Sequence, residues 1–295
     1  MSLAPMLPRS EATNGAGVLA RALPALRLQA RQVAASVLHG WHGRRRAGIG
    51  DQFWQYRPYV TGDMASQIDW RRSAKASQVL LRQREWQAAQ KVWLWLDGSL
   101  SMQFSSSANL PLKRDCADVL GLALADMLVR GGERVGLIGQ TRLLARGDII
   151  ERFGAALAEA GVAALPPLQA LEPGAQAVWI SDFLQPLDLI EAHLAILAGQ
   201  GAHGTLLMIA DPQEELFPFE GHVEFRAHPT AARLRFGQAE LARTTYLNEL
   251  AAHKERLRQS AARFGWTLTQ HRTDRPMAGC LLGLSTQLGL RTGAN

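Results

Sequence analysis

The sequence predicts an α/β fold, with a doubly wound, mostly parallel sheet in the C-terminal two thirds of its 295 residues. From residue 91 onward, short apolar runs alternate with longer segments of helical periodicity, which is the pattern of successive βαβ units. Val92–Leu96 is apolar throughout, and such runs are typical of strands buried on both faces of a parallel sheet. The segment 239–263 has the length and spacing of a long amphipathic helix.

The other elements follow from the same periodicities and from capping residues. Gly131-Gly132 ends the first helix of this region, and Asp148 caps the next one. The further predicted strands are 134–139, 177–181, 205–210 and 266–270, with a short antiparallel strand at 143–146 and short β segments within 211–237. The predicted helices are 112–130, 148–160, 186–198, 239–263 and 276–290.

Three segments are predicted along the chain. Residues 1–43 form an N-terminal tail and a helix, which Pro24 kinks or restarts. Residues 44–90 form a β-rich segment, and residues 91–295 form the α/β domain. Because the β-rich segment holds six large aromatic residues, among them Tyr59 and Trp70, we expect these side chains to be packed rather than exposed.

The composition excludes several classes of protein. Apolar residues make up 47% of the chain and charged residues 20%, which is ordinary for a globular protein with a sizeable core. Two cysteines exclude a disulfide scaffold and a four-cysteine metal site. Strictly apolar runs reach only about five residues, against the ~20 that a transmembrane helix needs, so a cytoplasmic protein is expected.

The positive charge is concentrated in the N-terminal third. The formal net charge is +6, and residues 1–90 hold 13 Lys and Arg against 5 Asp and Glu. A basic surface attracts nucleic acid, anionic lipid or an acidic protein face. A solvated face that balances a neighbouring acidic segment would give the same composition. No zinc-finger spacing or RNA-recognition motif accompanies the charge.

The loop after the first buried strand carries the clearest chemistry. Asp97, Ser99 and Ser101 supply one carboxylate and two hydroxyls at alternate positions. Ligands bind at the carboxyl edge of open α/β sheets, and three hard oxygens around one point suit Mg²⁺. A simple turn, in which Asp97 and Ser99 bond the backbone and cap the next helix, would use the same residues. The segment does not match the Gly-x-Ser-x-Gly nucleophile elbow.

A second acidic residue, Asp182, also follows a buried strand. In a parallel sheet both strand ends lie on the same edge, so Asp97 and Asp182 are expected to face one site.

Two groups of motifs resemble known families. Asp97-x-Ser99-x-Ser101, with Ser181-Asp182-Phe183 two crossovers later, resembles the von Willebrand factor type A fold and its metal-ion-dependent adhesion site. Several further motifs are similar to the signature of the bacterial domain of unknown function 58 family. These motifs are Gly48-Ile49-Gly50-Asp51-Gln52-Phe53, Arg57-Pro58-Tyr59-Val60-Thr61-Gly62-Asp63, Ile68-Asp69-Trp70, Ser73-Ala74-Lys75, Leu81-Arg82-Gln83-Arg84-Glu85 and His271-Arg272-Thr273-Asp274-Arg275-Pro276.

The resemblance covers about residues 40–290 and implies a type A-like α/β domain with a β-rich N-terminal extension. It implies no catalytic residue set. It implies a link to MoxR-type AAA+ ATPases. Our leading hypothesis is a non-enzymatic adaptor that works with such an ATPase and a client protein and uses a degenerate metal-ion-dependent adhesion site. The alternative is a nucleic-acid-binding protein that uses the basic N-terminal third.

The resemblance also implies a metal site. Its ligands would be Asp97, at an exposed strand end, with Ser99, Ser101 and Asp182. The type A fold adds a Thr from a loop between the two acidic strands, but residues 161–176 contain neither Thr nor Ser. Mg²⁺ is therefore expected to bind weakly or not at all.

Five residues of the β-rich segment are candidates for partner binding: Arg57, Asp63, Asp69, Arg71 and Arg72. A structural interpretation of the same segment is also open. In it, Asp63 fits a turn, Asp69 pairs with Arg57 or Arg71, and Trp70 packs.

Overall fold

A parallel sheet of five strands forms the centre of the fold. The computed structural model describes residues 15–42, 53–61, 63–84, 89–159, 162–226 and 233–289. In chain order, its helices and strands are α1 (Gly15–His42), β1 (Phe53–Pro58), α2 (Trp70–Ser73), β2 (Leu80–Arg84), β3 (Lys91–Leu96), α3 (Lys113–Arg130), β4 (Arg134–Leu137), α4 (Ile149–Glu159), β5 (Gln176–Ser181), α5 (Leu187–Gly199), β6 (His203–Ala210), α6 (Pro212–Leu216), β7 (Val223–Arg226), β8 (Arg233–Phe236), α7 (Ala239–Arg263), β9 (Trp266–Arg272) and α8 (Met277–Gln287).

The five central strands lie in the order β4-β3-β5-β6-β9, and every neighbouring pair is parallel. Leu144 forms one antiparallel bridge with Val135 beside the first strand of this order. The predicted doubly wound α/β fold is therefore confirmed. Apart from the predicted strand at 143–146, which is reduced to this single bridge, the predicted strands and helices from residue 91 onward are present within a few residues of their expected bounds.

Two hydrophobic layers cover the two faces of the sheet, because alternate side chains of each strand point to opposite faces. Val92, Leu94 and Leu96 pack in one layer with residues of α1, α3, α4 and α8. Trp93 and Trp95 pack in the other layer with residues of α5 and α7.

Helix α1 belongs to the first of these layers. Leu26, Ala30, Ala34 and Val37 are buried there, at the spacing of one helix face. Pro24 lies within α1, which continues on both sides of it. Among the described residues, no helix is long and apolar enough to cross a membrane.

The described residues divide into two compact units. One unit contains α1 and everything from Gln90 onward. The other is the described part of residues 43–89, where β1 and β2 pair antiparallel with an irregularity between Phe53 and Gln55. The expectation that its aromatic residues are packed is wrong for Trp70, which is 64% exposed, and for Tyr59, which is also exposed. Trp70 opens the four-residue helix α2, which buries none of its residues.

Candidate functional site

Three neighbouring strands are each followed by a buried acid at the carboxyl edge of the sheet. Asp97 follows β3, Asp182 follows β5, and Asp211 follows β6. Since β3 pairs with β5 and β5 with β6, these residues share one edge, as predicted for the first two. We call Asp97, Asp182, Asp211 and the side chains that contact them the crest.

Asp97 is held by hydrogen bonds to both of its carboxylate oxygens. Oδ1 accepts from the backbone N of Ser99 at 2.7 Å. Oδ2 accepts from Oγ of Ser181 at 2.6 Å and from Nε2 of Gln185 at 3.1 Å. The expectation of an exposed strand end is wrong, because Asp97 is 0% exposed: the loop that follows β5 covers it. Burial raises the pKa of Asp97 above its ordinary value, although the hydrogen bonds from Ser181 and Ser99 oppose this shift.

Ser99 and Ser101 lie in the loop that leaves β3. Their Oγ atoms are 3.0 Å apart, within hydrogen-bonding distance of each other. Leu100, between them, begins a short 3₁₀ turn and exposes its side chain. The loop between α4 and β5, which lacks the Thr of the type A fold, reaches the same place. There the carbonyl of Ala163 accepts a hydrogen bond from the backbone N of Gly98 at 3.1 Å.

Asp182 forms a buried ion pair with Lys113, the first residue of α3. Nζ of Lys113 lies 3.0 Å from Oδ2 of Asp182 and 2.6 Å from Oε1 of Glu214. The Lys113 side chain is 0% exposed. Burial alone would lower its pKa, but the charges of Asp182 and Glu214 outweigh that effect and raise the pKa above its ordinary value. The ammonium is therefore charged at neutral pH.

Glu214 connects this ion pair to the third acid of the crest. Asp211 is the N-cap of α6 and accepts from the backbone N of Gln213 at 2.8 Å, while Oε2 of Glu214 accepts from the backbone N of Asp211 at 3.0 Å. This is a capping box. Asp211 also accepts from the backbone N of Ser106 at 2.9 Å, which ties α6 to the loop after β3.

Arg114, beside Lys113, contributes a second buried cation. Its Nη1 donates to the carbonyl of Asp97 at 3.0 Å, and its Nε contacts both carboxylate oxygens of Asp118 at 3.0 and 3.1 Å. Burial raises the pKa of Asp118 to about 6, against the lowering effect of Arg114. The start of α3 is thus bound to the end of β3 by one cation and to the end of β5 by the other.

Sequence reasoning missed Lys113, Arg114, Glu214 and Asp211. Two signals for them are present in the sequence. Lys113 and Arg114 are adjacent basic residues in the first turn of an apolar helix, where the helix dipole disfavours positive charge. Asp211-Pro212-Gln213-Glu214 is a capping box directly after a buried strand.

Four of the five candidate partner residues, Arg57, Asp63, Asp69 and Arg72, make contacts within the β-rich unit. Arg57 binds both carboxylate oxygens of Asp63, each at 2.6 Å, and this pairing lowers the pKa of Asp63 to about 2. Asp69 caps α2 and accepts from the hydroxyl of Tyr56 at 2.9 Å. Arg71 and Arg72 are exposed, and the guanidinium of Arg72 lies 4.5 Å from the ring centre of Tyr56.

Part of the chain matches a known protein family. Residues 55–146 match the family described as "Protein of unknown function DUF58". This match confirms the resemblance to the domain of unknown function 58 family that the motifs predicted.

Relatives of similar length are found in mycobacteria. The chain is 29% identical over 276 residues to an uncharacterized protein of Mycobacterium tuberculosis (strain ATCC 25618 / H37Rv), and the alignment covers 87% of this chain and 86% of that protein. An uncharacterized protein of Mycobacterium bovis matches with the same identity and coverage.

Solved structures with similarity to this chain include two proteins of low sequence identity. One is an aerotolerance-related membrane protein from Bacteroides fragilis NCTC 9343 with multiple mutations to serines, at 18% identity and a TM-score of 0.41, covering 69% of this chain and 100% of that chain. The other is the SpRpn10 VWA domain, at 10% identity and a TM-score of 0.36, covering 70% of this chain and 100% of that chain.

Proposed function

We propose that this chain, which matches the DUF58 family over residues 55–146, is a non-enzymatic adaptor that binds a MoxR-type AAA+ ATPase and presents a client protein to it. The family resemblance suggests the ATPase. The surface of the crest suggests how the adaptor would bind.

One observation carries the proposal: large apolar side chains are exposed around the buried charges of the crest. Leu100 and Phe104 follow β3, Leu184 follows β5, and Leu216 ends α6 after β6. All four are between 40% and 59% exposed. We call these four residues the apolar rim. Exposed large apolar side chains that share one edge of a domain are typical of a protein-interaction site.

Two residues of the rim, Phe104 and Leu184, contact the charges of the crest directly. The ring centre of Phe104 lies 5.8 Å from Nζ of Lys113, and the backbone N of Leu184 donates to Oδ1 of Asp182 at 3.3 Å. Because the acids and Lys113 are buried, an incoming protein would contact the rim and not the charges. The charges would then fix the loops that carry the rim.

The exposed Arg71 and Arg72 supply a second contribution. Exposed basic residues speed the encounter with an acidic partner face at low salt without adding much affinity. We place the interaction in the cytoplasm, where an AAA+ ring finds the ATP that it hydrolyses.

The test is surface plasmon resonance between the full chain and the MoxR-type ATPase of its host, in nucleotide-free, ADP and ATP-analogue states. The rim variant combines Leu100→Ser and Leu184→Ser. We expect it to weaken the Kd at least ~10-fold, since buried apolar anchors dominate interface energies. The control is Ile196→Ser. Ile196 is 42% exposed but lies near the end of α5, by the amino edge of the sheet, and should change the Kd less than ~2-fold.

Equal loss in the rim variant and the control would remove the crest from the interface. No binding in any nucleotide state, together with tight and salt-sensitive binding of single-stranded or duplex nucleic acid, would favour the nucleic-acid alternative.

A further inference from the structure

We propose that the ammonium of Lys113 takes the place of the divalent cation that the metal-ion-dependent adhesion site resemblance implies. The crest would then carry its own cation as part of the polypeptide. It would keep its geometry without Mg²⁺.

The contacts of Lys113 are those of a central cation. Its Nζ lies 3.0 Å from Oδ2 of Asp182, an expected metal ligand, and 2.6 Å from Oε1 of Glu214. The centre of the Phe104 ring lies 5.8 Å from the same ammonium. An ammonium has three N–H donors, and two carboxylates with one aromatic face satisfy a buried one well.

A divalent cation does not fit the same residues. Mg²⁺ binds carboxylate oxygens near 2.0–2.1 Å. Bound to Oδ2 of Asp182, it would lie at most about 5 Å from Nζ of Lys113, where two positive charges would compete for one carboxylate. The other oxygen of Asp182 accepts from the backbone N of Leu184 at 3.3 Å.

The remaining expected ligands are also engaged. Both carboxylate oxygens of Asp97 accept hydrogen bonds from Ser99, Ser181 and Gln185. The hydroxyls of Ser99 and Ser101 lie within hydrogen-bonding distance of each other. Among the residues with described positions, no cluster of three or more His, Cys, Asp and Glu side chains is arranged to hold a metal ion.

In this proposal, the absence of the Thr and the presence of Lys113 are linked. The loop between α4 and β5 has no hydroxyl side chain to offer, and it reaches the crest through the carbonyl of Ala163. A site that lost one ligand would hold Mg²⁺ poorly, and its uncompensated acids would be costly to bury. Lys113, the first residue of α3, supplies a positive charge to two of the acids, Asp182 and Glu214.

The experiment measures the thermal unfolding of the full chain in about 10 mM MgCl₂, well above the range of weak oxygen-ligand sites, and in excess EDTA at matched ionic strength. The wild-type Tm should be the same in both buffers, and calorimetry should show no saturable Mg²⁺ binding. Lys113→Ala should have a lower Tm in EDTA and recover about 3 °C or more of it in MgCl₂, because the vacated position can now accept the metal.

The matched control is Lys254→Ala. Lys254 also forms an ion pair, with Glu215, but contacts neither Asp97 nor Asp182 in the described structure. Its Tm should not respond to Mg²⁺. If Lys113→Ala does not fold, the proposal is tested by the wild-type Tm in the two buffers and by calorimetry of Mg²⁺ binding to the wild type. The proposal would be overturned if the wild type bound Mg²⁺ saturably and Asp182→Asn abolished this binding. It would also be overturned if Lys113→Ala folded but its Tm did not change with Mg²⁺. These measurements use the chain without the ATPase. A result that contradicts the role of Lys113 would therefore not contradict the proposed ATPase interaction, which is tested separately.

Discussion

Nζ of Lys113 and Oδ2 of Asp182 lie 3.0 Å apart, on side chains that are 0% and 2% exposed. This contact joins the start of α3 to the end of β5, and Glu214 extends it to α6. Three loops at the carboxyl edge are thereby fixed around one buried cation. Burying charges is costly unless each is paired and hydrogen-bonded, so the geometry of the crest depends on all members being present.

Asp182→Asn should destabilise the protein by about 3–5 kcal/mol, because it leaves the buried Lys113 with Glu214 as its single carboxylate partner. The free energy of unfolding in urea measures this. Asp126→Asn serves as the control, since it removes the i,i+4 pair with Arg130, whose side chain is largely exposed. Its cost should stay below about 1 kcal/mol. If both variants lost a similar free energy of unfolding, the pair of Lys113 and Asp182 would contribute no more to stability than an exposed ion pair.

Asp97→Ala should destabilise the fold by about 1–3 kcal/mol, because Oγ of Ser181 and Nε2 of Gln185 lose a shared buried acceptor. Chemical denaturation of the variant tests this. Asp188→Ala removes an exposed carboxylate in the first turn of α5 and should change stability by no more than about 0.5 kcal/mol. An Asp97→Ala variant as stable as the wild type would contradict the buried hydrogen bonds described for Asp97.

Arg71→Glu combined with Arg72→Glu should slow association with the ATPase and flatten the salt dependence of the association rate, since exposed charges act mainly on encounter. Surface plasmon resonance at low and high salt gives both quantities. The control combines Arg233→Glu with Arg235→Glu, which changes the net charge equally at another exposed place. If both double variants slow association alike, net charge and not the position of Arg71 and Arg72 is responsible.

His271 should contribute a loss of stability as the pH is lowered from about 7, opposite in sign to the gain that the raised pKa of Asp118 contributes. Burial lowers the pKa of this histidine below 6.5, against the raising effect of Asp274. Below pH 6.5 the unfolded chain therefore binds more protons than the folded one, and stability is lost as the pH falls through the folded pKa. Urea unfolding between about pH 7.5 and 5 measures the slope.

The slope should be smaller in His271→Gln and unchanged in the control His203→Gln, since His203 is exposed. An unchanged slope in His271→Gln would show that other groups account for the acid sensitivity.

Much of the fold could be predicted because its signals are local. Val92–Leu96 is apolar at every position, which is typical of a strand covered on both faces. Asp97 and Asp182 could be placed on one edge because parallel strands end on the same side. The family match over residues 55–146 agrees with motifs that stand close together in the sequence.

The cation of the crest could not be predicted because its partners are remote. Lys113 is 69 residues from Asp182 and 101 residues from Glu214, and a lysine at a helix start is ordinarily solvated. Trp70 shows the opposite failure: its size predicts burial, but α2 is too short to provide a buried face. In both cases the tertiary surroundings, and not the residue type, decide exposure.

The most direct measurement is an anomalous difference map from crystals of the full chain soaked in about 10 mM MnCl₂, a stand-in for Mg²⁺ with the same preference for oxygen ligands. We expect electron density for Lys113 that reaches both Asp182 and Glu214, and no anomalous peak at the crest. A manganese peak about 2.1–2.2 Å from a carboxylate oxygen of Asp182, with Lys113 turned away, would contradict it.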